Sequence, residues 1–143
     1  MNISEQAYFQ ERLDNQINWY DKKSSHFQKV YRCLKGIVIF FSASIPLLVG
    51  FISDYGFWEI VIGAIGVSIA VIEGWLSLTK YHENWIEYRS ICETLRHEKY
   101  MYLTRTGVYD IENPFKVLVD RVESIISNET VNWASLNYNQ NGG

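Results

Sequence analysis

Residues 36–79 read GIVIFFSASIPLLVGFISDYGFWEIVIGAIGVSIAVIEGWLSLT and contain no lysine or arginine. All 13 basic residues of the chain lie outside this window, whose only charges are Asp54, Glu59 and Glu73. Residues 36–53 form an uncharged run of 18; as a helix it spans about 27 Å, close to the roughly 30 Å of a hydrocarbon core. Arg32 and Lys35 just before it extend its reach by snorkelling. Pro46 lies inside the run, where a membrane helix accommodates it. Residues 60–79 form a second apolar run of 20, interrupted only by Glu73. The six residues between them, DYGFWE at 54–59, read as a tight turn with aromatics at the interface. Two spans joined this way make an antiparallel hairpin.

Working outward, the charges orient that hairpin. Residues 16–35 carry five basic groups (Lys22, Lys23, Lys29, Arg32, Lys35), residues 80–99 carry four (Lys80, Arg89, Arg96, Lys99), and the turn has none. This asymmetry places both termini in the cytoplasm. The first span is preceded by 35 residues rich in charged and aromatic side chains and no small-residue cleavage site follows it, unlike a signal peptide. The bulk composition hides all of this: 143 residues, mean hydropathy −0.11 and net charge −3 describe an ordinary soluble domain on average. Cys33 and Cys92 form no CxxC motif, so neither zinc nor a redox pair is signalled. A strongly basic balance, which would point to nucleic acid, is absent.

The flanking segments read as helices. Leu13, Ile17, Tyr20, Ser24, Phe27, Tyr31 and Leu34 recur at alternating steps of four and three, one face of an amphipathic helix within residues 1–35, capped by Ser4 or Asn2. Tyr81, Trp85, Tyr88, Cys92, Leu95, Lys99 and Tyr102 repeat that coiled-coil-like spacing over 80–106. With no proline or glycine between Trp75 and Thr104, the second span is expected to continue into this segment as one rod. The rod stops at Gly107, a natural C′ residue. A turn over 107–113 leads to Asn113-Pro114, an N-cap with proline at the first helical position, and a last helix over 114–136. That helix presents Phe115, Leu118, Val119, Val122, Ile126 and Trp133 on one side. The polar tail 137–143 has nothing to bury and is expected to be disordered. The fold class is an all-α membrane protein: a two-helix transmembrane hairpin with long cytoplasmic helices before and after it.

Two groups of residues stand out. On the second span Glu59, Gly63, Gly66, Ala70, Glu73, Gly74 and Ser77 share one stripe. Its small-xxx-small series lets another helix approach closely, either the first span at Ala43, Ser44 and Gly50 or a neighbouring protomer. Glu73 is a carboxylate inside an apolar segment, costly enough to need a reason. It pairs with Lys35, or it forms an acidic ring along an aqueous path in an oligomer. The second group lies in and just after WIEYRSICETLRHEKYMYLTRTGVY at 85–109. Tyr88, Arg89, Glu93, Arg96 and Glu98 fall on or beside the apolar stripe, with Tyr109 following in the turn; polar groups there are expensive to bury unless they bond across helices. Catalytic signatures fail one by one. Residues 66–70 (GVSIA) miss GxSxG at the last position, and His97-Glu98 opens a zincin motif whose second histidine is Met101. His26, His82 and His97 share no ligand spacing, and the sequon Asn128-Glu129-Thr130 falls on the cytoplasmic side. No enzyme, cofactor or metal is expected.

The run Tyr88-Arg89, Glu93, Leu95, Glu98, followed by Gly107 and Tyr109, resembles the SLATT superfamily, the SMODS- and SLOG-associating two-transmembrane effectors, in one of its branches of unknown function. The order of parts matches too: a long N-terminal helix, a membrane hairpin, then the Arg/Glu helix, over roughly residues 10–135. The resemblance implies a bacterial inner-membrane effector that perforates or depolarises the membrane when a stress or conflict system activates it, with a nucleotide-signalling or sensor partner. The expected function is therefore a homo-oligomeric pore, with ions and the lipid bilayer as its partners. The alternative is a membrane-anchored interaction module that does not conduct.

Overall fold

The structure, a computed structural model, describes the backbone of residues 4–51 and 56–140 and the side chains of residues 4–50 and 56–130. Among the described residues the chain is helical, with no strand. The order is α1 (Glu5–Tyr8), a π-helical turn (Phe9–Leu13), α2 (Asp14–Phe51), α3 (Phe57–Thr79), α4 (Tyr81–Leu103), a 3-10 turn (Gly107–Tyr109) and α5 (Pro114–Gln140). Two stretches, Glu5–Gly50 and Phe57–Leu103, contain windows long and apolar enough to cross a membrane. Only 6% of each apolar window is covered by the rest of the chain. The chain divides into two compact units: residues 1–22 with 88–143, and residues 23–87.

The first unit is a three-helix bundle built by the amphipathic faces that the spacing predicts. Ser4 caps α1, its Oγ accepting from the Ala7 N–H at 3.2 Å. The other cap candidate, Asn2, lies outside the described residues. Tyr8 and Leu13 are both buried although five residues apart. The π-helical turn between them, closed by the Asp14 N–H donating to the Phe9 carbonyl, inserts the extra residue that brings both to the same side. From Leu13 the ordinary period resumes with Ile17 and Tyr20 buried. α4 contributes Tyr88, Cys92 and Leu95, and α5 contributes Leu118 and Val122. The α4 stripe then departs from the expected 4-3 alternation: the next buried residue is Glu98, and Lys99 stands half-exposed beside it.

α4 ends at Leu103, earlier than Gly107. The Thr106 N–H donates to the Met101 carbonyl at 3.1 Å and the Arg105 N–H to the Tyr102 carbonyl at 3.1 Å, which together form a Schellman motif. Arg105 therefore occupies the C′ position, at φ 50°, in place of the expected glycine. Gly107, at φ 64°, instead opens the 3-10 turn that turns Tyr109 into the core. α5 begins at Pro114 as expected and runs to Gln140, so residues 137–140 are helical rather than unstructured; residues 141–143 and the side chain of Trp133 lie outside the described residues.

In the second unit, α2 continues through Pro46 without a break, the apolar segment growing directly out of the amphipathic one. Ser44 Oγ donates to the Phe40 carbonyl at 2.7 Å, a common way for a hydroxyl to be accommodated on an apolar helix. Of the expected 54–59 turn, residues 54 and 55 are outside the described residues, Gly56 is a bend at φ 141°, and Phe57, Trp58 and Glu59 already belong to α3. The expected rod from the second span onward is divided at Lys80, which adopts a left-handed conformation (φ 49°). Its N–H still donates to the Leu76 carbonyl and its carbonyl accepts from Asn84, so the interruption leaves neither group unpaired. The Asn84 side chain covers the Thr79 carbonyl at 3.2 Å.

A left-handed non-glycine residue costs about 1 kcal/mol. Arg105→Gly is therefore expected to raise the unfolding midpoint of the purified chain, and Gly107→Ala to lower it by a similar amount. An alanine Cβ at 107 would also meet Met101 Cε at 2.8 Å, a flexible end that can yield, so backbone strain sets the size of that effect. Urea or thermal unfolding followed by circular dichroism measures both.

Candidate functional site

Within the first unit the polar residues of α4 separate into two groups. At the surface, Arg89 and Arg96 lie about two helical turns apart on α4, with Glu93 between them. Arg89 contacts Asp21 of α2 at 3.1 Å and Glu93 at 2.6 Å; Arg96 contacts Glu93 at 3.1 Å and Asp21 at 3.4 Å. Two cations thus share two carboxylates in a closed ring. All four side chains are a third to a half exposed, so each pair contributes only a few tenths of a kcal/mol, and the ring acts chiefly to set α4 in register against α2. Tyr88 lies below it in the core, its ring 6.0 Å from Tyr20 and 5.9 Å edge-on from Trp19.

The second group is buried. Glu98 is 3% exposed, a placement a carboxylate tolerates only with partners. Arg121 of α5 supplies a two-pronged bond, Nε to Oε2 at 2.9 Å and Nη2 to Oε1 at 2.7 Å, and the buried Tyr109 hydroxyl donates to Oε2. The Arg121 bonds hold the Glu98 carboxyl below the usual range against the opposing effect of burial. Burial and the Glu98 bond together push the Tyr109 hydroxyl upward. Both expected residues, Glu98 and Tyr109, are therefore brought together, but apart from the Arg89–Glu93–Arg96 ring and around a residue that sequence reasoning missed. Arg121 borders the buried pair Leu118 and Val122 on α5; a cation at that edge of an apolar stripe was the available signal.

The same chemistry recurs where the N-terminal helix meets α5. Arg12 grips Glu123 with two bonds of 2.9 and 2.8 Å, and the Tyr8 hydroxyl donates to Glu123 at 3.1 Å. Tyr20 donates to Glu129. Arg12 holds the Glu123 carboxyl low, and burial first, then the carboxylate, pushes Tyr8 up. On the other side, Lys99 meets Asp14 at 2.6 Å and Tyr102 donates to Glu5 at 3.0 Å. Tyrosine-to-glutamate bonds thus recur along the bundle, and none of Tyr8, Arg12, Tyr20, Glu123 or Glu129 stood out as a site in the sequence.

In the second unit Lys35 and Glu73 are brought together: Nζ donates to both carboxylate oxygens, at 2.7 and 2.9 Å. Both side chains remain more than a third exposed. The rest of the α3 stripe faces away from the chain. Glu59, Gly63, Ala70, Gly74 and Ser77 are exposed, and Gly66 is at the margin. A Cβ placed on Gly63, Gly66 or Gly74 would meet nothing within 4 Å among the described residues, so these glycines serve no close approach there, and Ala43 and Gly50 of α2 are likewise exposed. Among the described residues no three His, Cys, Asp or Glu side chains are grouped to hold a metal ion.

Removing Arg121 strands a buried carboxylate. Arg121→Met is expected to destabilise the chain by about 3 kcal/mol, at the low end for broken buried pairs because the arginine is itself half-exposed. The pH dependence follows from the directions above. Glu98 and Glu123 are depressed in the folded state, so their stabilisation is fully present above the ordinary glutamate value near 4.3 and is lost as pH falls through their folded values. In Arg121→Met, burial becomes the leading influence on Glu98, and acid unfolding is expected to begin at a higher pH than in the parent. Urea midpoints from pH 3 to 8 test both statements.

Comparison with curated proteins and with solved structures finds no match. A family match covers residues 15–115, more than two thirds of the chain. It takes in both apolar helices, the Lys35–Glu73 pair, the Asp21–Arg89–Glu93–Arg96 ring and Glu98 with Tyr109. It leaves out Tyr8, Arg12, Arg121, Glu123 and Glu129, the residues that bind the two ends of the chain into the bundle. The chain belongs to this family, whose description is protein of unknown function (DUF4231).

Proposed function

We propose that this protein is a homo-oligomeric pore of the bacterial inner membrane, with α2 and α3 crossing as an antiparallel hairpin and both termini in the cytoplasm. Contacts between Phe27 and Tyr81 (ring centroids 5.5 Å), Tyr31 and His82 (5.0 Å), and Lys35 and Glu73 pair early residues with late ones, as an antiparallel hairpin requires. The basic flanks and the uncharged turn support the orientation. Two helices cannot enclose an aqueous path, so conduction requires several protomers.

The observation that carries the reading is the open face of α3. Gly63, Gly66, Ala70 and Gly74 form a groove that nothing among the described residues fills, next to a carboxylate in an otherwise apolar segment. In the assembly a neighbouring helix enters that groove, and Glu73 and Ser77 border the path. Lys35 neutralises Glu73 within the protomer, so cation preference depends on how firmly that pair holds. Activation by a stress or conflict system, through a nucleotide-signalling or sensor partner, follows from the SLATT resemblance. The second reading is an anchored interaction module, favoured by the first unit's having a core and polar network of its own. Exchanging α2 and α3 apolar segments for an unrelated hairpin separates the two, because an anchor survives the exchange and a pore does not.

Because nothing among the described residues touches the groove, Ala70→Leu and Gly74→Leu are expected to leave the protomer folded while abolishing the oligomer in detergent and ion flux in liposomes. Glu73→Gln is expected to reduce cation over anion selectivity, and Lys35→Ala to increase it. A monomeric parent protein, or liposomes that stay sealed, would overturn the pore.

A further inference from the structure

Residues 23–35 of α2 carry Lys23, Lys29, Arg32 and Lys35 and no carboxylate. Lys35 is engaged by Glu73. Lys29 and Arg32 are exposed and have no acidic partner among the described residues. In the other unit five of the eight cations, Arg12, Arg89, Arg96, Lys99 and Arg121, sit in ion pairs. At 100° per residue, His26, Lys29 and Arg32 occupy an arc of about 120° on the helix, and Phe40, Ala43 and Leu47 fall within the same arc. All six are exposed, Phe40 and Leu47 at 69% and 64%. One open face of α2 is thus a cationic foot that continues directly into an apolar stripe.

The dimensions match one class of occupant. Arg32 and Lys29 precede Gly36, the start of the apolar segment, by about 6 and 10 Å along the axis. A headgroup layer is about 5–8 Å thick beyond the hydrocarbon, and long side chains bridge the remainder. Free cations there attract anionic headgroups, while the stripe above them suits an acyl chain. A second copy presenting the same face would set like charges together, and an acidic soluble partner would leave the apolar stripe uncovered. We propose that this face of α2 binds an anionic phospholipid, its phosphate on Lys29 and Arg32 and its acyl chain along Phe40, Ala43 and Leu47. The inference rests on the membrane-spanning reading and does not require conduction.

The test uses the full chain reconstituted into phosphatidylcholine vesicles and into vesicles with 30% phosphatidylglycerol. Flotation reports insertion. Mild detergent extraction, followed by measurement of the lipids that co-purify with the protein, reports selectivity. The parent is expected to float with both compositions and, from the mixed vesicles, to retain phosphatidylglycerol over phosphatidylcholine at a ratio at least fivefold above the input ratio. The Lys29→Gln/Arg32→Gln double variant should float equally and lose that enrichment, at roughly fivefold per cation. The Lys29→Arg/Arg32→Lys variant should keep it, and 1 M salt during extraction should reduce it. A parent that floats but retains the two lipids in their input ratio overturns this inference alone, as does enrichment that survives in the double glutamine variant. A parent that floats with neither composition overturns the membrane reading and this inference with it.

Discussion

Two long apolar helices without a protein interior to receive them are the constraint on which the rest of this molecule depends. Phe40, Leu47, Val67, Val71 and Leu78 are each more than half exposed, in helices that together hold most of the chain's branched apolar residues. In water such surface would drive collapse or aggregation; in hydrocarbon it costs nothing, and the backbone groups are already paired within each helix. Placing the apolar residues there removes them from the supply that a soluble core would draw on. The first unit must then be built from segments rich in tyrosine, arginine and glutamate.

That shortage accounts for the character of the bundle. Among the described residues its wholly buried side chains are few: Leu13, Tyr20, Cys92, Leu95, Tyr109, Leu118 and Val122. Tyrosine fills volume like a large apolar residue but brings a hydroxyl that must find an acceptor when buried. Glutamates 98, 123 and 129 provide those acceptors, and Arg121 and Arg12 compensate the charge of the first two. Each carboxylate bond costs desolvation, so the net stabilisation is modest. The geometry is selective nonetheless, because a slipped helix would leave a buried oxygen without a donor. The family match ends between Tyr109 and Arg121, so this clamp joins residues inside the shared region to residues beyond it.

Much of the local architecture was legible because it depends on period and composition alone. Leu13, Ile17, Tyr20 and Ser24 are buried as their spacing predicts, and Pro114 starts the last helix. The failures cluster where one residue decides. Five residues separate Tyr8 from Leu13, and only packing against α4 and α5 makes a π-helical turn the resolution. Thr104 to Gly107 offered glycine as the obvious stop, yet Arg105 takes the left-handed position, because the helix has to end early enough for the 3-10 turn to bring Tyr109 to Glu98. No intrinsic helix-breaking residue marks Lys80. The candidate polar network was legible in its members on α4 and illegible in its partners, since Asp21 and Arg121 lie 68 and 23 residues from theirs.

The sequence by itself determined the helical class, the two apolar segments and which face of each flanking helix turns inward, because these follow from the distribution of apolar and charged residues along one period. The tertiary structure decided which charge meets which. It joined Lys35 to Glu73 and Glu98 to Arg121, left Lys29 and Arg32 in the open, and turned the glycines of α3 away from the chain. Such pairings depend on helix rotation and register, which distant parts of the chain set jointly and no local window contains.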